Sequence, residues 1–155
     1  MKKCILCWFI VLIVKINSIS AVKKIVVPLD YKSIQSAINN ANEGDTVYVM
    51  NSIYRENIVL ADHIFLLGKE PDKTIIRGNT RDPVVRAANH STLRNFTIER
   101  GGIGILSENT NMVIQNNIIR ENSKTGIHCL ISLPHIQNNI IADNEWSGIY
   151  CELVA

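Results

Sequence analysis

Gly126-Ile127-His128-Cys129 returns further along as Gly148-Ile149-Tyr150-Cys151, and one equal step earlier the same frame holds Gly104-Ile105-Leu106-Ser107. Asn116-Asn117-Ile118-Ile119 comes back at that same interval as Asn138-Asn139-Ile140-Ile141. A fixed period in the low twenties, with apolar alternation and no long helical stretch, is the pattern of a solenoid whose coils stack in parallel.

One coil explains the period. Side chains from Met112 to Asn116 and from Ile118 to Arg120 can alternate between a packed interior and water. Glu121 to Thr125 then forms a polar corner before the chain resumes a strand at Gly126. Each coil therefore holds about three short strands. Stacking predicts one interior ladder of Ile105, Ile127 and Ile149 and a second of Ile118 with Ile140. Cys129 and Cys151 point inward with Ser107, as buried thiols in preference to a bridge. Asn side chains at a repeated bend can bond the next coil, so Asn95, Asn116 and Asn138 are expected to form an asparagine ladder.

Working outward, the N-terminal half prepares the stack. Val22 to Pro28 has the character of a first strand, and Ser33 to Ala41 carries Ile34, Ala37, Ile38 and Ala41 on one helical face. That short helix is expected to cap one end of the solenoid and hide its strand edges. Strand-length apolar stretches follow at Thr46–Met50, Ile58–Leu60, Ile64–Leu67, Thr74–Arg77 and Val84–Ala87. The other end is expected to be uncapped, with the sequence incomplete there and prone to self-association through the open coil.

The chain has 155 residues, 46% hydrophobic and 19% charged, enough for one domain. Met1-Lys2-Lys3, the apolar run Cys4 to Val14 and the small residues Ser18 to Ala21 together predict a secretory signal peptide over 1–21, with the mature domain at 22–155. The run is too short to span a bilayer, for which about 20 residues are needed. The mature protein is therefore expected to be secreted or periplasmic and to leave the membrane after signal cleavage. Without Lys2, Lys3 and Lys15, the sixteen basic residues fall to thirteen against fourteen acidic, a balance that argues against nucleic acid as a partner.

Ile25-Val26-Val27-Pro28, Tyr31-Lys32-Ser33-Ile34-Gln35-Ser36-Ala37-Ile38, Glu43-Gly44-Asp45-Thr46-Val47-Tyr48-Val49 and Ile53-Tyr54-Arg55-Glu56-Asn57-Ile58 resemble the opening of right-handed parallel β-helix proteins of the pectin-lyase-like superfamily. Ile64-Phe65-Leu66-Leu67-Gly68 and Lys73-Thr74-Ile75-Ile76-Arg77-Gly78 continue the likeness into the Gly-Ile coils. The resemblance implies an all-β, right-handed parallel β-helix solenoid whose coils keep the period of the Gly-Ile repeat. Its members include pectate lyases, pectin methylesterases, polygalacturonases, alginate epimerases, surface adhesins and accessory proteins of nitrous oxide reductase copper-site maturation. One fold thus hosts many chemistries.

Tyr54-Arg55-Glu56-Asn57 and Lys73 to Gly78 are most similar to pectin methylesterases, but no Gln-Ala-Val-Ala-Leu stretch follows, and Gly102-Ile103-Gly104-Ile105-Leu106 stands in its place. Asp62-His63-Ile64-Phe65 resembles an esterase segment only superficially, and there is no Asp-Pro-His-Asp sequence of the epimerase type. No complete catalytic constellation emerges; an enzyme of this family would be a carbohydrate lyase, esterase or hydrolase. Alternation from the interior ladder instead places Leu106, His128 and Tyr150 outward at one level and Glu108, Leu130 and Glu152 at the next. His128, Tyr150, Glu108 and Glu152 are the candidate substrate-binding residues, able to line a groove for polysaccharide or cell-surface glycan. The alternative is a non-enzymatic scaffold, surface or accessory protein. His63, His90 and His135 share no common spacing, so neither a metal site nor any cofactor is expected. Asn89-His90-Ser91 and Asn95-Phe96-Thr97 fit the glycosylation acceptor pattern.

Overall fold

The computed structural model describes residues 21–79 and 81–153, and the segment expected to be a signal peptide lies outside them except for Ala21. The described residues form a parallel β-solenoid with three sheets running along its length. The first sheet comprises β1 (Lys24–Val27), β2 (Thr46–Val49), β5 (Phe65–Gly68), β8 (Thr92–Arg94), β11 (Val113–Gln115) and β14 (His135–Gln137). The second comprises β3 (Ser52–Tyr54), β6 (Thr74–Arg77), β9 (Thr97–Glu99), β12 (Ile118–Arg120) and β15 (Ile140–Ala142). The third comprises β4 (Ile58–Val59), β7 (Val85–Arg86), β10 (Ile105–Glu108), β13 (Thr125–Leu130) and β16 (Ser147–Glu152).

Each sheet contributes one interior ladder. Ile25, Val47, Leu66, Leu93, Ile114 and Ile136 stack in the first sheet. Tyr54, Ile76, Ile98, Ile119 and Ile141 stack in the second. In the third, Ile58, Val85, Ile105, Ile127 and Ile149 are in register, as the repeat predicts for the last three. Ile105 and Ile127 are fully buried, while Ile149 is 45% exposed because β16 has a neighbour only on its β13 side among the described residues. No single coil could enclose these side chains; successive coils bury them together.

Two expectations fail by a single position. Ile118 and Ile140 do pair, but outward: Ile140 is 62% exposed, and the interior places are taken by Ile119 and Ile141. The cause lies at the bend. Asn116 and Asn138 have φ of 54° and 55°, as does Asn95 at 64°, so these asparagines make the left-handed corner by backbone geometry. The side-chain ladder belongs to the residue that follows. Asn117 is buried, and its N–H and its Nδ2 both donate to Asn139 Oδ1, at 2.9 and 3.1 Å. Because strand parity has a period of two, an inward Asn117 forces Ile118 outward and Ile119 inward. A second ladder joins Asn122 to Asn144, whose Oδ1 accepts from Asn122 Nδ2 at 2.9 Å.

The capping helix is present as α1 (Ile34–Asn39), with Ile34, Ala37 and Ile38 buried. Ser33 Oγ accepts from Ser36 N–H at its start, and the Glu56 carboxylate takes the Ile34 and Gln35 N–H groups. The Gln35 amide then pairs with Val59 as a strand would. Its Nε2 donates to the Val59 carbonyl at 3.2 Å and its Oε1 accepts the Val59 N–H at 2.7 Å. This covers the outer edge of β4.

Candidate functional site on the outer face of the third sheet

Alternation along the third sheet turns Val59, Arg86, Leu106, His128 and Tyr150 outward in one register row. Glu108, Leu130 and Glu152 form the next row. Both rows are those expected from the sequence. The His128 and Tyr150 rings meet edge to face, with centroids 5.1 Å apart and planes at 68°. Glu152 Oε2 lies 3.9 Å from His128 Nε2, beyond hydrogen-bond distance. That nitrogen is covered and has no hydrogen-bond partner.

Beside this row runs a groove of about 460 Å³, lined by Ile103, Lys124, Thr125, His128, Trp146, Ser147 and Tyr150. Lys124 and Trp146 occupy the same corner of consecutive coils, and the Trp146 N–H donates to the Lys124 carbonyl at 2.9 Å. The Lys124 ammonium stands 5.6 Å from the centroid of the Trp146 ring. Trp146 is 71% exposed, in the last described coil. The structure thus brings His128, Tyr150 and Glu152 together. Glu108 and Glu152 share the outer face but neither lines the groove, and they are separated by Leu130 and two strand spacings of about 4.8 Å each. Sequence reasoning missed Trp146 and Lys124 because they sit in what reads as a polar corner; their separation by one full period of the repeat was the available signal.

Charge elsewhere is used for structure. Glu99 in the second sheet is 1% exposed and lies in register between Arg77 and Arg120. Arg77 Nε donates to it at 2.7 Å, and Arg120 Nη2 at 3.1 Å. Among the described residues no group of three or more His, Cys, Asp or Glu side chains is placed to hold a metal ion. The histidines nevertheless require a correction. His63 and His90 stack on adjacent coils, with ring centroids 4.8 Å apart. Their kinship was hidden because the coil between Phe65 and Thr92 is longer than the regular period. His135 is apart from them, bonded to Gln137 Oε1 at 2.9 Å. Ser107, Cys129 and Cys151 share the expected register column and neither cysteine is bridged, but only Cys129 is buried as expected; Cys151 is exposed, because β16 has a neighbour on its β13 side only among the described residues.

No helix among the described residues is long and apolar enough to cross a membrane. No curated protein and no solved structure matched the chain. Residues 14–153 match the family described as the right handed β-helix region, so the resemblance holds at the level of the fold. The chain belongs to the right-handed β-helix family.

Proposed function

We propose that this protein is a secreted or periplasmic β-helix that binds a polysaccharide or cell-surface glycan along the outer face of its third sheet. The observation that carries the proposal is the groove between Trp146 and Tyr150, two exposed rings flanking His128. Sugar rings present apolar C–H faces and a rim of hydroxyls, and an aromatic face beside polar side chains complements both. Lys124, Thr125 and Ser147 supply polar contacts within the groove, and Glu152 stands on the neighbouring register row. An extended chain ligand suits a surface that repeats at each coil. The proposal is one of binding, and it routes no bond cleavage through these residues.

Affinity electrophoresis and titration against a panel of soluble polysaccharides, neutral and acidic, test this directly. Trp146 and Trp8 are the chain's two tryptophans, so a ligand that stacks on Trp146 is expected to change the indole fluorescence. Losing an aromatic contact worth about 0.5–1.5 kcal/mol weakens binding roughly two- to tenfold. Trp146→Ala and Tyr150→Ala are each expected to do so without lowering thermal stability. Absence of binding across the panel, or full affinity in Trp146→Ala, would leave the scaffold function as the better account of this wall.

A further inference from the structure

We propose that Cys129 and Cys151 are a redox-sensitive cross-link site, joining β13 to β16 by a disulfide that closes between adjacent coils. The two residues are direct register partners in parallel strands, and both belong to the inward column that Ser107 begins. In-register parallel neighbours have α-carbons about 4.8 Å apart, inside the range of roughly 4.4–6.8 Å found for disulfides. Their β-carbons must approach by roughly 1 Å to reach the usual disulfide separation. β16 can supply that movement, since among the described residues it is hydrogen-bonded on one side only. Neither cysteine is bridged in the structure, which leaves the site open.

Accessibility orders the chemistry. Cys129 is 2% exposed, whereas Cys151 is exposed. Thiol–disulfide exchange with a small disulfide such as oxidised glutathione therefore begins at Cys151. The Cys151 thiolate attacks one glutathione sulfur, forming a mixed disulfide and releasing one glutathione thiolate. Cys129, as its thiolate, then attacks Cys151 Sγ and releases the second glutathione. The protein loses two protons and two electrons, and oxidised glutathione becomes two reduced molecules. Burial, the largest cause of the raised Cys129 thiol, persists in the mixed disulfide, so the second step is the slow one and quickens as pH rises from 7 towards 10.

Peptide mapping of the intact chain decides the matter. Lys124 is the last Lys or Arg in the sequence, so one tryptic peptide, 125–155, carries both cysteines. After incubation with oxidised glutathione, that peptide is expected to be lighter by two hydrogens and to resist alkylation until reduced. The oxidised protein is expected to melt several degrees higher than the reduced one, as closing a loop of this length predicts. Cys151→Ser, which alters an exposed position, is expected to abolish the oxidant's effect while leaving the reduced melting temperature unchanged. Two alkylatable thiols after oxidation, a persistent glutathione adduct on 125–155, or covalent dimers through Cys151 would each overturn the proposal. Equal melting of oxidised and reduced forms would overturn it too.

Discussion

Replacing Asn117 by Ala removes a side chain that serves three coils at once. Asn117 Oδ1 accepts the buried Phe96 N–H at 3.0 Å, and Nδ2 donates to the Leu93 carbonyl at 2.9 Å and to Asn139 Oδ1 at 3.1 Å. Asn139 Oδ1 keeps the Asn117 backbone N–H, so it is not stranded. Phe96 N is, and it is fully buried, whereas the Leu93 carbonyl keeps its place in the parallel ladder between β8 and β11. A buried group left without its partner costs about 1–3 kcal/mol, with about 2 as the central expectation. That is an appreciable part of the roughly 5–15 kcal/mol typical of a domain. The neighbouring Asn116 gives the control. At φ 54° it occupies a conformation that glycine adopts freely, so Asn116→Gly is expected to change stability by less than about 1 kcal/mol. Urea unfolding with matched slopes measures both. An Asn117→Ala loss below about 1 kcal/mol, or equal losses at the two positions, would refute the assignment of the ladder to Asn117 and Asn139.

Two further expectations concern stability. Ile127→Asp places a carboxylate in a fully buried ladder and is expected to cost more than about 4 kcal/mol, whereas His128→Ser alters an outward position and is expected to cost under about 1 kcal/mol; similar melting losses would invert the inward and outward faces. Asp45 accepts the Asn42 N–H at 2.8 Å and the Lys23 N–H at 2.7 Å, and these bonds hold its carboxyl below the ordinary value of 3.8. Because the folded pKa is depressed, its contribution is complete well above pH 3.8 and is lost as pH falls through and below that value. Asp45→Asn is therefore expected to lower stability at neutral pH and to flatten the acid side of the stability profile; an unchanged acid limb would exclude Asp45 as its source.

The solenoid was legible because parallel stacking makes equivalent residues recur, and Ile105, Ile127 and Ile149 recur without interruption. The outward placement of His128, Tyr150, Glu108 and Glu152 followed from parity counted from that ladder. Parity failed at Asn116 because a left-handed corner consumes one position without alternating, and no composition rule tells which of two adjacent asparagines makes it. Phe96 added to the confusion: it occupies the coil position of Asn117, so the ladder starts one coil later than the Asn-rich pattern suggests. Unequal coils hid the His63–His90 stack. The first sheet takes a short step from Thr46 to Phe65 and a long one from Phe65 to Thr92, and a search at a fixed interval passes over both. Trp146 was overlooked for a different reason. Its importance lies in what it leaves uncovered, and exposure is a property of the assembled coil.

The asparagine ladder also bears on how such a chain can change in length. Asn117 accepts from Phe96 N–H through Oδ1 on one side and donates to Asn139 through Nδ2 on the other, and Asn139 repeats the same carbonyl bond one coil on, so the interface between coils is nearly independent of which coils meet. Excising one whole coil, from Leu106 to Ile127, would join Ile105 to His128 and bring Asn139 beneath Phe96, where its Oδ1 could take over the bond that Asn117 makes. Every strand parity downstream would be kept. Duplicating the same segment would preserve parity equally well, whereas losing an odd number of residues inside a strand would turn the following interior ladder out to water. The architecture thus favours genetic change in whole coils, and it confines smaller insertions to corners such as the one that lengthens the coil between Phe65 and Thr92.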